Sequence, residues 1–189
     1  MILQPAFWDS RSAATRWPVA GQDLWVPGWL PEPILTPRLV LRSSTASDIP
    51  LLTALRTDGA VRAFLGGPMN PERARERAEA EMGTVNRFIV TCQEDGSGIG
   101  VVALSDEGHG GLEVSYAFLP TAWGVGYAVE AVRAVLVWAF EVRGIEELLV
   151  VTQTANARSR RLIERLAAVS ADEFEEFGAQ QTVYRLRPG

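Results

Sequence analysis

The segment EVSYAFLPTAWGVGYA, residues 113–128, constrains the fold more tightly than any other stretch of the chain. Its first half alternates, with Val114, Tyr116 and Phe118 set against Ser115, Ala117 and Leu119, and it stops at Pro120, so it reads as a strand. A turn carrying Gly124 and Gly126 follows, and a long apolar helix begins near Tyr127. Two glycines one residue apart let backbone N–H groups turn outward and approach a ligand closely. The helix N-terminus adds about half a positive charge there, which makes the turn a seat for phosphate. A tight turn that binds nothing is the alternative. The dinucleotide fingerprint is incomplete, because its third glycine would fall where Val129 stands, and no Gly-Lys-Ser/Thr of a P-loop is present. A ligand carrying a pyrophosphate, such as an acyl-CoA, is the candidate.

Downstream, Glu147 to Gln153 reads as a strand and NARSRRLIERLA, from Asn156, as a second amphipathic helix. With these in place the chain resembles the GNAT acetyltransferase superfamily, and within it the branch typified by ribosomal-protein N-terminal alanine acetyltransferases. The matching blocks are TPRLVLR (36–42) with Asp48 shortly after, GVVAL (100–104) and EVSYAFLP (113–120). They continue with WGVGYAVEAVRAVLVWAF (123–140) and TQTANARSRRLIERL (152–166), in the family's order and spacing over about residues 35–187. The resemblance implies an α/β domain with a mixed, mostly antiparallel sheet flanked by helices. It also implies transfer of an acetyl group from acetyl-CoA, a co-substrate, to a primary amine.

Composition narrows the rest. A chain of 189 residues, 47% of them apolar, is one domain with room for a sizeable core. The longest apolar run, Ala134 to Phe140, is too short to span a bilayer, and no charged n-region and apolar h-region opens the chain. A lone Cys92 in the strand-like RFIVTCQ reads as a packed thiol and fits a reducing, cytoplasmic setting. A net charge of −5 disfavours nucleic acid as a partner. With one histidine and one cysteine, no His/Cys metal cluster can be assembled, so no metal is expected. All 18 basic residues are arginine.

Residues 1–34 differ from the rest of the chain. They hold Trp8, Trp17, Trp25 and Trp29, four of the six tryptophans, without helical or strand periodicity, and read as an irregular strap on the domain or on a second subunit of a possible homodimer, with a roof over the acceptor cleft the alternative. The remaining residues, 35–189, form the acetyltransferase-like domain. Thr45 and Ser47 offer caps for a helix through about Arg56, and Asn70-Pro71 opens a charged helix ending at Gly83. Its acid–arginine pattern reads as a solvated face with pairs such as Arg77 and Glu81. Arg87–Gln93 and Ile99–Leu104 read as strands joined by EDGSG, EGHGG leads into the key strand, and two strands come after Leu166.

Acetyl transfer to an amine needs a deprotonated amine, a stabilised oxyanion and a proton for the leaving thiolate. Amines titrate at about 8 for an N-terminus and about 10.4 for lysine, so a positioned base helps. Glu113 opens the key strand, where the resembled family often has its base; an edge carboxylate in solvent is the alternative. Tyr116 projects from the opposite face of an ideal strand and reads as core packing, unless a bulge of the family's kind intervenes. His109, in the EGHGG turn, reads as a solvated side chain, with proton transfer the alternative.

The resemblance further implies that Phe118 and Leu119 pair with the pantetheine arm and that Trp123, Gly124, Val125, Gly126, Tyr127 and Ala128 form the pyrophosphate loop. Asn156 matches a pantetheine contact and is equally a plain helix N-cap. Where many relatives place a proton-donating tyrosine this chain has Ile163, which shifts the general-acid role to Ser159. Arg158, Arg160 and Arg161 either meet CoA phosphates or form a solvated face. Thr121 and Val125 replace the loop's usual polar or basic residues, and Ala167-Ala168 replaces the usual Gly-Phe after the last helix, which puts the terminal hairpin in question. Two other functions fit the same pattern: a tailoring or self-resistance enzyme with another acyl donor or a small-molecule or peptide acceptor, and a catalytically silent acyl-CoA-binding module.

Overall fold

The strands at the centre of the molecule carry apolar residues on both faces, as sequences covered by helices above and below must. The computed structural model describes residues 33–189 and forms one eight-stranded sheet. Its elements run β1 (Ile34–Leu35), β2 (Leu39–Arg42), α1 (Ile49–Thr57), α2 (Pro71–Ala80), β3 (Arg87–Cys92), β4 (Gly98–Asp106), β5 (Leu112–Phe118), α3 (Tyr127–Val137), β6 (Leu148–Gln153), α4 (Ala157–Arg165), β7 (Val169–Glu176) and β8 (Ala179–Leu186). The order in space is β1-β2-β3-β4-β5-β6-β8-β7, antiparallel throughout except for the parallel β5–β6 pair. The mixed, mostly antiparallel sheet is the fold class expected. The tryptophans expected in the strap lie outside the described residues. No helix of the described residues is long and apolar enough to cross a membrane.

Each face of the sheet has its own core. On one side Phe88, Val102, Val114 and Phe118 pack against Ala131, Val132 and Val135 of α3 and Ile163 of α4. On the other, Ile89, Val101 and Ala117 meet Leu52 and Leu55 of α1 and Ala78 of α2. Burying each large aliphatic or aromatic side chain is worth about 1.5–3 kcal/mol. The β4–β5 contact is close enough to exclude a side chain at Gly100, whose Cβ would stand 2.6 Å from the Ala117 carbonyl oxygen.

Local signals hold with two adjustments. Asn70 caps α2 through Oδ1, which accepts from the N–H groups of Glu72 and Arg73, and Pro71 takes the first turn. Before α1, residues Ala46–Asp48 form a 3-10 turn, so the helix starts at Ile49 rather than behind Thr45. Asp48 closes that turn by accepting from the Thr45 N–H at 2.8 Å and from both terminal nitrogens of Arg42. The second adjustment concerns Glu81, which does not belong to a solvated face. It is 4% exposed and pairs with the buried Arg56 and with Arg87, joining α1, the end of α2 and β3. The exposed i,i+4 pair of α2 is Arg75–Glu79.

The chain leaves α4 through Ala167, whose φ of +57° supplies the left-handed reversal that the resembled family takes with glycine. The Ala-Ala departure therefore does not abolish the hairpin. β7 and β8 pair along their length, joined by Phe177 and Gly178, both with positive φ, a turn that suits the sheet's twist. An alanine held in the left-handed region is strained by about 1–2 kcal/mol, partly offset by the extra unfolded-state freedom of glycine. Ala167→Gly should therefore raise unfolding free energy by about 0.5–1 kcal/mol in a denaturant titration, and a loss of stability would contradict this account.

Candidate active site

The parallel pair at the sheet's centre is joined at one register position only, Glu113 opposite Leu149. Beyond it the strands part. β5 stays fully bonded to β4, and β6 to β8, so the separation opens inside the sheet rather than at its rim. A cavity of about 600 Å³ fills the gap, lined by Val114 to Phe118 on one edge and Val150 to Gln153 on the other.

Which backbone groups face the gap is set by the ladder. The Leu119 N–H donates to Ile99 O at 2.9 Å, and antiparallel bonding alternates, so the N–H and C=O groups of Tyr116 and Phe118 point away from β4. The Phe118 carbonyl accepts from the Trp123 indole N–H at 2.9 Å, which anchors the loop after β5 beside the opening. The Arg158 guanidinium lies 3.8 Å above the Trp123 ring. The β4–β5 register runs unbroken from Gly100↔Phe118 to Asp106↔Leu112, so no bulge alters the pleat. Glu113, Ser115 and Ala117 consequently share the α1 side of the sheet, while Val114, Tyr116 and Phe118 share the α3 side.

On the α1 side Glu113 is 3% exposed, which removes the reading of a solvent-edge carboxylate. Its Oε1 lies 2.6 Å from Nδ1 of His109, and the other ring nitrogen is 3.5 Å from Glu176 of β7. The imidazole leans on Phe174, with centroids 5.1 Å apart. The expectation of a solvated His109 is therefore corrected. The EGHGG turn folds back on its own strand and meets the C-terminal hairpin, a contact that local spacing did not announce. The hydrogen bond to Glu113 raises the His109 pKa, against the opposing effect of burial, with further support from the charges of Glu113 and Glu176. Glu107, two residues before His109, is raised by burial while bonded to Ser105 at 2.6 Å.

On the α3 side the Tyr116 hydroxyl reaches the Ser159 hydroxyl at 2.8 Å. Tyr116 packs against the core as expected, yet its polar end enters the cavity. Burial pushes its pKa up to about 12, so the phenol keeps its proton at any physiological pH. Asn156 caps α4 by accepting from the Ser159 N–H at 3.1 Å, which fixes Ser159 in the first turn. Ile163 is fully buried one turn later.

Glu113, Ser159, Phe118, Trp123, Ala128 and Asn156 all line the cavity, and the fold thus brings together residues from β5, α3 and α4. Leu119, Gly124, Val125, Gly126, Tyr127 and Arg161 are not among its lining residues. Leu119 packs toward α1, and Arg161 is exposed on α4. The glycine turn itself has the expected form, with φ of +83° at Gly124 and +89° at Gly126, the residue that caps α3. Arg38 of the segment entering β2 secures it, donating to the Val125 carbonyl at 3.0 Å and pairing with Glu130 of α3 while lying 4.6 Å over the Tyr127 ring. No group of three or more His, Cys, Asp or Glu among the described residues is arranged to hold a metal ion.

Residues 38–169 match the family model of the acetyltransferase (GNAT) domain. A Bacillus licheniformis protein named "Uncharacterized N-acetyltransferase p20" is 24% identical over 145 residues, covering 72% of this chain and 82% of its own. Among solved structures, a GNAT-family acetyltransferase from Bacillus anthracis shares the fold with a TM-score of 0.75 at 21% identity, covering 82% of this chain and 98% of that one. One provisionally named a ribosomal-protein-serine acetyltransferase, from Vibrio cholerae, has a TM-score of 0.66 at 21% identity over 83% and 98% of the two chains.

The His109–Glu113 contact predicts a measurable titration. A histidine whose folded pKa is raised contributes stability that is full below its unfolded pKa of about 6.5 and is lost as pH climbs through the folded value. Because His109 is the only histidine, one imidazole signal in a proton NMR titration reports it. A midpoint above about 6.5 is expected in the folded protein, returning toward that value in Glu113→Gln. A midpoint at or below it would contradict the geometry.

Proposed function

The chain belongs to the GNAT acetyltransferase family and is thus an acyltransferase; from that premise we propose that it moves an acetyl group from acetyl-CoA to a primary amine. The observation that carries the reading is the parting of β5 and β6 immediately beyond Glu113, with one proton-handling pair on each side of the opening. When bound, acetyl-CoA supplies the activated acetyl thioester. The residues present suit it. The N–H and C=O of Tyr116 and the N–H of Phe118 face the gap with no strand across it, and buried backbone groups left so are costly unless a ligand's amides meet them. The Gly124–Gly126 turn at the start of α3 offers outward N–H groups and the positive end of a helix dipole to a pyrophosphate.

The two pairs divide the proton traffic. An ammonium acceptor must lose a proton before its nitrogen can attack, and the Glu113–His109 pair takes it on the α1 side. On the α3 side the Tyr116–Ser159 pair returns a proton to the departing sulfur. Burial keeps Tyr116 protonated, so its hydroxyl stays hydrogen-bonded to Ser159 and holds it in place, and the proton that Ser159 gives up is replaced from solvent. In this reading the phenol belongs to strand β5, while α4 carries Ile163 where many members of the resembled family have a tyrosine. Two intact donor and acceptor pairs favour a working enzyme over a silent binding module.

Glu113→Gln preserves shape and removes the carboxylate. Turnover by thiol release should fall by roughly 10²-fold at neutral pH and partly recover at high pH, where amines deprotonate unaided. Wild-type turnover at every pH would remove Glu113 from the mechanism. Gly126→Asp sets a negative charge against the pyrophosphate seat, and calorimetry should show acetyl-CoA affinity reduced by tenfold or more, on the order of 1.4 kcal/mol. Unchanged affinity in a folded variant would displace the binding assignment.

A further inference from the structure

We propose that the acceptor is a primary amine borne on an apolar, aromatic-sized body and lacking a carboxylate beside the amine. This rests on the acetyl-transfer reading and narrows it. The observation behind it is the wall of the cavity on the α1 side, where Glu113 opens. Val61, Phe64 and Leu65, from the loop after α1, form one wall, and Phe177, at the tip of the β7–β8 hairpin, contributes to the cavity from β8's side. Phe64 is 36% exposed and Phe177 51%, so two aromatic side chains beside the cavity keep surface in water that an apolar ligand would cover. The space suits a small ligand body, which such cavities grip through apolar walls and orient through a few polar groups.

Charge supplies the second half of the argument. The titratable side chains on this side are Glu107, Glu113, Glu176 and His109. Three carboxyl groups stand here against one imidazole, so the acidic groups outnumber the basic one. No arginine is among the described residues lining this side. Arg158, the one arginine lining the cavity among the described residues, lies over Trp123 on the other side. An ammonium group entering here is drawn toward Glu113, whereas a carboxylate two bonds from that nitrogen meets like charge, and the one imidazole on this side is already held between Glu113 and Glu176. Free α-amino acids are therefore poor acceptors. A free arylalkylamine and a peptide N-terminus with an apolar first side chain share the favoured chemistry.

The test is a thiol-release assay on the full chain with acetyl-CoA and four acceptors: phenethylamine, phenylalanine, phenylalaninamide and glycinamide. Phenethylamine and phenylalanine have the same ring and amines of similar basicity, so their ratio of kcat/KM isolates the carboxylate. A ratio of about tenfold or more in favour of phenethylamine is expected. Phenylalaninamide should exceed glycinamide, and whether it or phenethylamine leads, with each rate expressed per deprotonated amine, identifies a peptidyl or a free amine as the source. In Glu176→Gln the phenethylamine-to-phenylalanine ratio should narrow; being internal to each protein, it is insensitive to loss of folded enzyme. Phenylalanine matching or exceeding phenethylamine, glycinamide matching phenylalaninamide, or a ratio unmoved by Glu176→Gln would each overturn the proposal while leaving acetyl transfer standing. Absence of thiol release with every amine, despite acetyl-CoA binding by calorimetry, would overturn both.

Discussion

The function proposed for this protein hangs on one bridge between two parallel strands. Glu113 and Leu149 hold β5 to β6 at a single register position, and past that point each strand keeps only its outer partner. A sheet opened at its centre would ordinarily be a liability, because unpaired edges are adhesive and buried peptide groups want partners. Here the gap is bounded by two complete half-sheets, each fastened to helices on both faces or to a long hairpin. The cavity between them is lined by residues from both faces of the sheet, and the frame around it stays whole. The bridging residue is also the residue proposed to take the acceptor's proton, so the position of the base and the width of the opening are set by the same contact.

The frame around that gap was largely readable from sequence. Alternation in residues 113–119, the glycine pair at 124 and 126, the caps at Asn70 and Asn156 and the turn at EGHGG are all local signals, and each element formed where its signal lay. What local patterns could not carry were contacts made between elements distant in the chain. Glu81 looked like one more acid on a charged helix, yet the helix ends before it and two arginines from α1 and β3 enclose it. His109 looked solvated because nothing in EGHGG names Glu176, some 67 residues on, as its second neighbour. Tyr116 combined both behaviours: its ring obeyed the strand's period and packed inward, while its hydroxyl extended to a helix 43 residues later.

The use of arginine throughout, with no lysine in the chain, shapes these contacts. A planar guanidinium with five donors can satisfy several acceptors at once, which an ammonium on a flexible stem does less well. Arg38 uses that capacity at the glycine turn, reaching Val125 and Glu130 together and covering Tyr127. The turn proposed as the pyrophosphate seat is thus shaped before any ligand arrives, which lowers the ordering cost of binding.

The C-terminal hairpin bears on how such a protein changes over time. β8 is built into the sheet between β6 and β7, so its body cannot vary without cost to the whole. Its tip is different: Phe177 and Gly178 form a two-residue turn whose backbone is set by handedness and whose exposed side chain borders the cavity. Replacing that one side chain would alter the wall proposed to meet the acceptor, at a distance in sequence from His109, Glu113, Tyr116 and Ser159. In the reading proposed here, the reaction and the surface that chooses its acceptor sit on separable parts of the fold.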